Sequence, residues 1–246
     1  MIAILLHGFT GDRTTWDEVC RHWQPELPAG DQLLAVDLPG HGEGPPVQDG
    51  WRANLEAICE RVGPALSQAV VVGYSLGARV ALGLLAEGLT RRAILIGVNP
   101  GLPSAERASR QRADAAWVEL LLQEGVEAFA ARWEAQDLFA TQTRVAGAAA
   151  AARRAVRRHH RAAELARSLT HMGLAAMPDY RAALSAAAAR AQLVVGAEDA
   201  KFRALAVAAV SLAPALPLHL VPDAGHDVPL EQPRALARLL ARLSQP

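Results

Sequence analysis

Residues 70–77, Val-Val-Val-Gly-Tyr-Ser-Leu-Gly, constrain the fold of this chain more than any other stretch. Three consecutive valines suit a strand buried on both faces, and an apolar helical run over Leu76–Glu87 follows at once. The reversal between them falls on Ser75. Gly73 and Gly77 on either side let the backbones of strand and helix pass without a Cβ clash. Such a junction belongs to a parallel sheet with right-handed crossovers, and the same alternation recurs along the chain. Candidate strands are Ile2–Leu6, Leu33–Val36, Val70–Gly73, Ile94–Val98, Leu193–Gly196 and Leu218–Val221. Helical patterns cover Arg52–Leu66, Leu76–Glu87, Phe202–Leu212 and Arg234–Leu243.

From about Ser104 to Ala189 the alternation stops, and only Ala/Arg/Glu/Leu-rich helix is expected. The alanine run Ala146–Ala152 reads as ordered helix because alanine is the strongest helix former. With 246 residues, 51% of them hydrophobic, the chain is long enough to bury one large core. The expectation is a single α/β domain over 1–246. It has the α/β-hydrolase fold, a mostly parallel sheet flanked by helices, with a helical lid inserted at about 104–189.

A serine hydroxyl is inert near neutral pH unless a base stands beside it. In this fold the acid and the histidine follow the serine in chain order, each beyond the end of a later strand. Leu193–Gly196 leads into Glu198 and Asp199. Asp199 is preferred because it lies one step further over the sheet edge, with Glu198 as the alternative. Leu218–Val221 leads into His226, alone among eight histidines in following the last strand. His159 and His160 read as solvated residues of an arginine-rich helix, His219 as a structural strand residue, and His41 as a turn residue. The bend Leu6-His7-Gly8-Phe9-Thr10-Gly11 follows the first strand. There the N–H of Phe9, with that of Leu76, forms the candidate oxyanion hole.

Charge is balanced, 25 basic residues against 25 acidic, so nothing global attracts nucleic acid. Met1–Leu6 is too short for a secretory h-region, and no apolar run approaches the roughly 20 residues that span a bilayer. Cys20 and Cys59 lack ligand spacing and read as reduced thiols. Histidines and carboxylates show no metal-ligand spacing either, so no metal and no cofactor is expected. A cytoplasmic protein, monomeric or weakly self-associating, fits these features.

The chain resembles the 2-succinyl-6-hydroxy-2,4-cyclohexadiene-1-carboxylate synthase (MenH) family almost end to end. The likeness is carried by Leu6–Asp12, Gly73–Ala81, Asn99-Pro100-Gly101-Leu102, Ala108–Arg112 followed by Trp117, and Trp133 followed by Asp137–Ala140. It continues in Gly196–Phe202 and Ala224–Asp227. The resemblance implies a lyase of menaquinone biosynthesis that eliminates pyruvate from a small polycarboxylate, with Ser75, His226 and Asp199 working as a base. It also implies Arg79, Arg110 and Arg157 as ligands for substrate carboxylates, and Tyr74 and Trp133 as pocket walls. Guanidinium forks suit carboxylates because they donate parallel hydrogen bonds. For Arg157 a solvated basic face, shared with Arg153, Arg154, Arg158 and Arg161, is an equal reading. The rival activity is a serine esterase or C–C bond hydrolase working through an acyl-enzyme.

Overall fold

In a computed structural model, which describes residues 1–245, the short apolar runs pair as six parallel strands in the order β2-β1-β3-β4-β5-β6. They are β1 (Ile2–Leu6), β2 (Gln32–Val36), β3 (Val70–Tyr74), β4 (Arg92–Ile96), β5 (Ala191–Gly196) and β6 (Leu218–Val221). Strand side chains alternate between faces, so a continuous apolar run supplies two cores at once. Ile4, Leu6, Val71, Leu95 and Leu193 face one cluster, and Ala3, Leu5, Val72, Ile94 and Val194 the other.

The helices cover these two faces. Between β1 and β3 come α1 (Asp17–Trp23) and α2 (Trp51–Val62), and α3 (Leu76–Ala86) follows β3. Helix α1 is absent from the sequence-based expectation: its seven residues include only the buried pair Val19 and Trp23, too short a stripe to signal amphipathicity. Helix α2 stops four residues before the expected Leu66, because Gly63 takes φ +73° and Pro64 follows. The fourth strand lies over Arg92–Ile96 rather than Ile94–Val98. Arg92 pairs with Val70, and Gly97 at φ +60° leaves the extended region.

Between β4 and β5 the described residues form no strand. They build α4 (Ser104–Glu134), a 3₁₀ segment (Asp137–Arg144), α5 (Ala148–His159), α6 (Ala162–Met172) and α7 (Arg181–Ala186). Helix α4 breaks at Gly125, whose φ of +80° and ψ of 179° are open almost only to glycine. The break lets Phe129 join Leu121, Leu165 and Leu169 in a third apolar cluster, against which Phe9 and Trp133 pack. The chain closes with α8 (Ala200–Leu212), α9 (Val228–Glu231) and α10 (Pro233–Leu243). Among the described residues no helix is long and apolar enough to cross a membrane.

Candidate active site

At the carboxyl edge of β3 the backbone reverses on Ser75, with φ +53° and ψ −106°. A non-glycine residue held there costs about 1–3 kcal/mol, so the surroundings must enforce it. They do so at two points. The Ser75 N–H donates to Ile96 O on β4 at 2.8 Å, and the Gly77 N–H donates to His7 O at 3.0 Å. A Cβ on Gly77 would sit 2.1 Å from Leu6 O, and one on Gly73 equally close to Gly77 O. The crossing therefore admits only glycine at both places, and Ser75 is presented above the sheet edge.

His226, on the loop after β6, reaches Ser75 Oγ with Nε2 at 3.0 Å. Its Nδ1 lies 2.7 Å from Asp199 Oδ2, which fixes the tautomer: Nδ1–H donates to the carboxylate and Nε2 is free to accept from the hydroxyl. Asp199 caps α8 as well, its Oδ1 accepting from the Phe202 N–H at 3.0 Å. The imidazole is walled by the Phe202 ring at 4.3 Å and the Tyr74 ring at 5.4 Å. Glu198 points elsewhere, into an exposed pair with Arg144 at 2.6 Å. Ser75, His226 and Asp199 are thus brought together, and Glu198 is not.

Phe9 and Leu76 line a cavity of about 130 Å³ together with Ser75. Among the described residues neither backbone N–H has a hydrogen-bond partner in the surrounding loops, so both are free to donate to an oxygen at Ser75. The Phe9 loop is held from behind by His7, buried completely. His7 Nδ1–H donates to Gly8 O at 2.8 Å and Nε2 accepts from the Leu38 N–H at 3.0 Å. Burial pulls its pKa down to about 4, so the imidazole is neutral in this role.

The arginines fall on two sides of Ser75. Arg79, one turn along α3, lines the 130 Å³ cavity with Arg110, Trp133 and Lys201. Its Nη1 donates to Met172 O at 2.7 Å. Desolvation, then the like charge of Arg110, pulls the guanidinium pKa down to about 9, still charged at neutral pH but short of negative partners. Arg110 pairs with Asp114 at 2.8 Å. Arg157 lies on the other side, in a narrow cleft shared with Tyr74, Ser75, Trp133, Phe139 and Arg153. It is buried, with Nη1 only 3.4 Å from Glu134, and its Nε and the Trp133 Nε1 are buried donors without a partner among the described residues.

Two expectations change here. The solvated basic face accounts for Arg154 and Arg161, which are exposed, but not for Arg157 or for Arg153, whose side chain is 10% exposed. Nothing in the sequence marks Arg153 apart from its neighbours except its i, i+4 spacing to Arg157, which puts both on one helix face. His159 is exposed, but His160 is buried, its Nε2 lying 3.1 Å from Thr10 O. The cause is the end of α5, which delivers residue 160 against the His41 ring at 5.3 Å. Among the described residues no group of three or more His, Cys, Asp or Glu side chains converges as a metal site requires.

Comparison with known proteins agrees with this architecture. The alpha/beta hydrolase family model matches residues 3–239. The chain is 36% identical over 249 aligned residues to 2-succinyl-6-hydroxy-2,4-cyclohexadiene-1-carboxylate synthase of Escherichia coli K12, covering 98% of this chain and 92% of that protein. Identity and coverage are the same for the synthase of Shigella dysenteriae. Among solved structures, MenH from S. aureus superposes with a TM-score of 0.89 at 24% identity, covering 98% of this chain and 91% of the other. A thermophilic esterase from Thermogutta terrifontis follows at 0.80 and 22%, covering 99% and 89%. At such identities these two likenesses speak for the fold.

Proposed function

The chain belongs to the 2-succinyl-6-hydroxy-2,4-cyclohexadiene-1-carboxylate synthase family of the alpha/beta hydrolases, and on that premise we propose that it is a carbon–oxygen lyase of menaquinone biosynthesis. Its substrate is 2-succinyl-5-enolpyruvyl-6-hydroxy-3-cyclohexene-1-carboxylate, and pyruvate is the leaving product. The substrate carries three carboxylates around a small ring. The observation that carries this reading is the placing of guanidinium groups on both sides of Ser75, Arg79 and Arg110 in one cavity and Arg157 in the other. An acyl-transfer enzyme for neutral esters has no use for them.

Substrate and product differ by a 1,4-elimination. His226 Nε2 accepts the Ser75 proton, and the Ser75 oxygen removes the proton from the ring carbon bearing the succinyl ketone. The electron pair moves onto the ketone oxygen, where the Phe9 and Leu76 N–H groups stabilise it. On its return the ring double bond shifts, the bond to the enolpyruvyl oxygen breaks, and the enolate takes a proton to become pyruvate. Asp199 holds the imidazole and stabilises its charged form. Trp133 and Tyr74 wall the ring, and the helical segment 104–189 acts as a lid that keeps water out. The enzyme acts in the cytoplasm on this small molecule alone, as a monomer or weak homo-oligomer.

The test is to supply the purified protein with the precursor and follow pyruvate through lactate dehydrogenase. Stoichiometric release is expected. No pyruvate, together with an acyl-enzyme burst on an activated ester, would replace the lyase by a hydrolase.

A further inference from the structure

The loop that carries His226 is held by a residue with no part in the chemistry. Glu231, the last residue of α9, is half-buried, and its carboxylate straddles the histidine. Oε2 accepts from the Gly225 N–H at 2.8 Å and Oε1 from the Asp227 N–H at 3.2 Å, so the N–H groups of the residues before and after His226 are tied to one side chain. A third donor arrives from the helical insertion. Thr141, in the 3₁₀ segment Asp137–Arg144, donates its hydroxyl to Glu231 Oε1 at 3.0 Å.

The approach of that segment is close enough to restrict the sequence. A Cβ on Gly225 would lie 2.1 Å from Thr141 Oγ1, although Gly225 has no positive φ that would call for glycine by itself. The adjacent Gln142 donates to Asp227 Oδ2 at 3.0 Å, and Arg153 from α5 reaches Asp227 Oδ1 at 3.3 Å. The insertion thus grips the residues before and after His226, and Glu231 is where both grips meet.

We infer that Glu231 is a positioning residue for His226, and that Thr141 couples the seating of the helical segment to the histidine's alignment with Ser75. A segment docked as here completes the carboxylate's set of donors and holds the loop. A segment swung away removes one donor and leaves the imidazole loosely aimed. This inference rests on the proposed roles of Ser75 and His226, but not on the identity of the substrate.

The experiment uses a fluorophosphonate, whose fluoride Ser75 Oγ displaces from phosphorus while His226 takes the serine proton. Labelling of the full chain yields an inactivation rate constant and an apparent affinity. Glu231→Gln puts an amide donor against a peptide N–H, and should lower the rate constant by about ten- to a hundredfold, the scale of a misaligned reacting pair. The affinity should stay within about twofold, as expected when ground-state binding is untouched. Thr141→Val should lower the rate constant in the same sense, and Thr141→Ser, which restores the hydroxyl, should recover it. A Glu231→Gln protein labelled at the wild-type rate would overturn the inference, as would a Thr141→Val loss that serine does not recover. Should Glu231→Gln fail to fold, the Thr141 pair decides alone: equal rates in Val and Ser variants overturn it. A wild-type chain that labels but releases no pyruvate sinks the lyase reading and leaves this one standing.

Discussion

At the scale of single residues, the proposed chemistry would run through a 3.0 Å contact from His226 to Ser75 and a 2.7 Å contact from His226 to Asp199. Ser75→Ala removes the proton acceptor and should lower pyruvate release by at least ~10³-fold, with product affinity by calorimetry near wild type. Near-normal turnover would end the assignment. Arg79→Ala and Arg110→Ala should each raise KM by about tenfold or more, the value of a charge-assisted hydrogen bond, with a smaller change in kcat. Unchanged constants in both variants would remove the carboxylate cradle. Ser75, Asp199 and His226 were legible because each follows a strand end, a position visible in the pattern of apolar runs. Arg153 was not, because an arginine in an alanine- and arginine-rich run looks the same whether its helix face meets water or a buried Asp227.

At the scale of elements, strands announced themselves better than helices. Ala-Ile-Leu-Leu and Val-Val-Val are buried on both faces and could be little else, whereas α1 and the four-residue α9 are too short to show a period. The kink in α4 is invisible in composition, since a lone glycine inside a helical pattern is usually tolerated. Gly125→Ala should lower the unfolding free energy by about 1–3 kcal/mol, because no other residue adopts its φ and ψ cheaply. Chemical denaturation measures it, and an unchanged midpoint would show that the break can heal. Gly77→Ala should be far worse. Its new methyl meets Leu6 O at 2.1 Å, and a backbone carbonyl has no flexible end to yield. Soluble, active Gly77→Ala protein would contradict the packing of α3 on β1.

At the scale of the molecule, acid sensitivity follows from buried imidazoles. His7 has its pKa pulled down to about 4 by burial, and burial lowers those of His41 and His160 as well. The unfolded chain binds these protons near pH 6.5 and the folded one does not. The stability they confer is therefore whole above pH 6.5 and is lost as pH falls toward 4, about 3 kcal/mol for His7 alone. Thermal midpoints between pH 7 and 4.5 should drop steadily, and His7→Asn should flatten the fall; a flat wild-type profile would refute the linkage. The overall layout was legible because alternating strands and helices permit few arrangements, whereas the contacts of the 104–189 segment depend on partners distant in the chain. That segment leaves the sheet after β4 and re-enters at β5, and these two strands are hydrogen-bonded neighbours from Ala93 with Ala191 to Ile96 with Val194. Departure and return therefore share one doorway. The stretch between can be lengthened or recoloured without unstitching a single rung of the ladder, so long as Met172, Met177 and Leu184 still cover the sheet and Thr141 and Gln142 still meet the loop that carries His226.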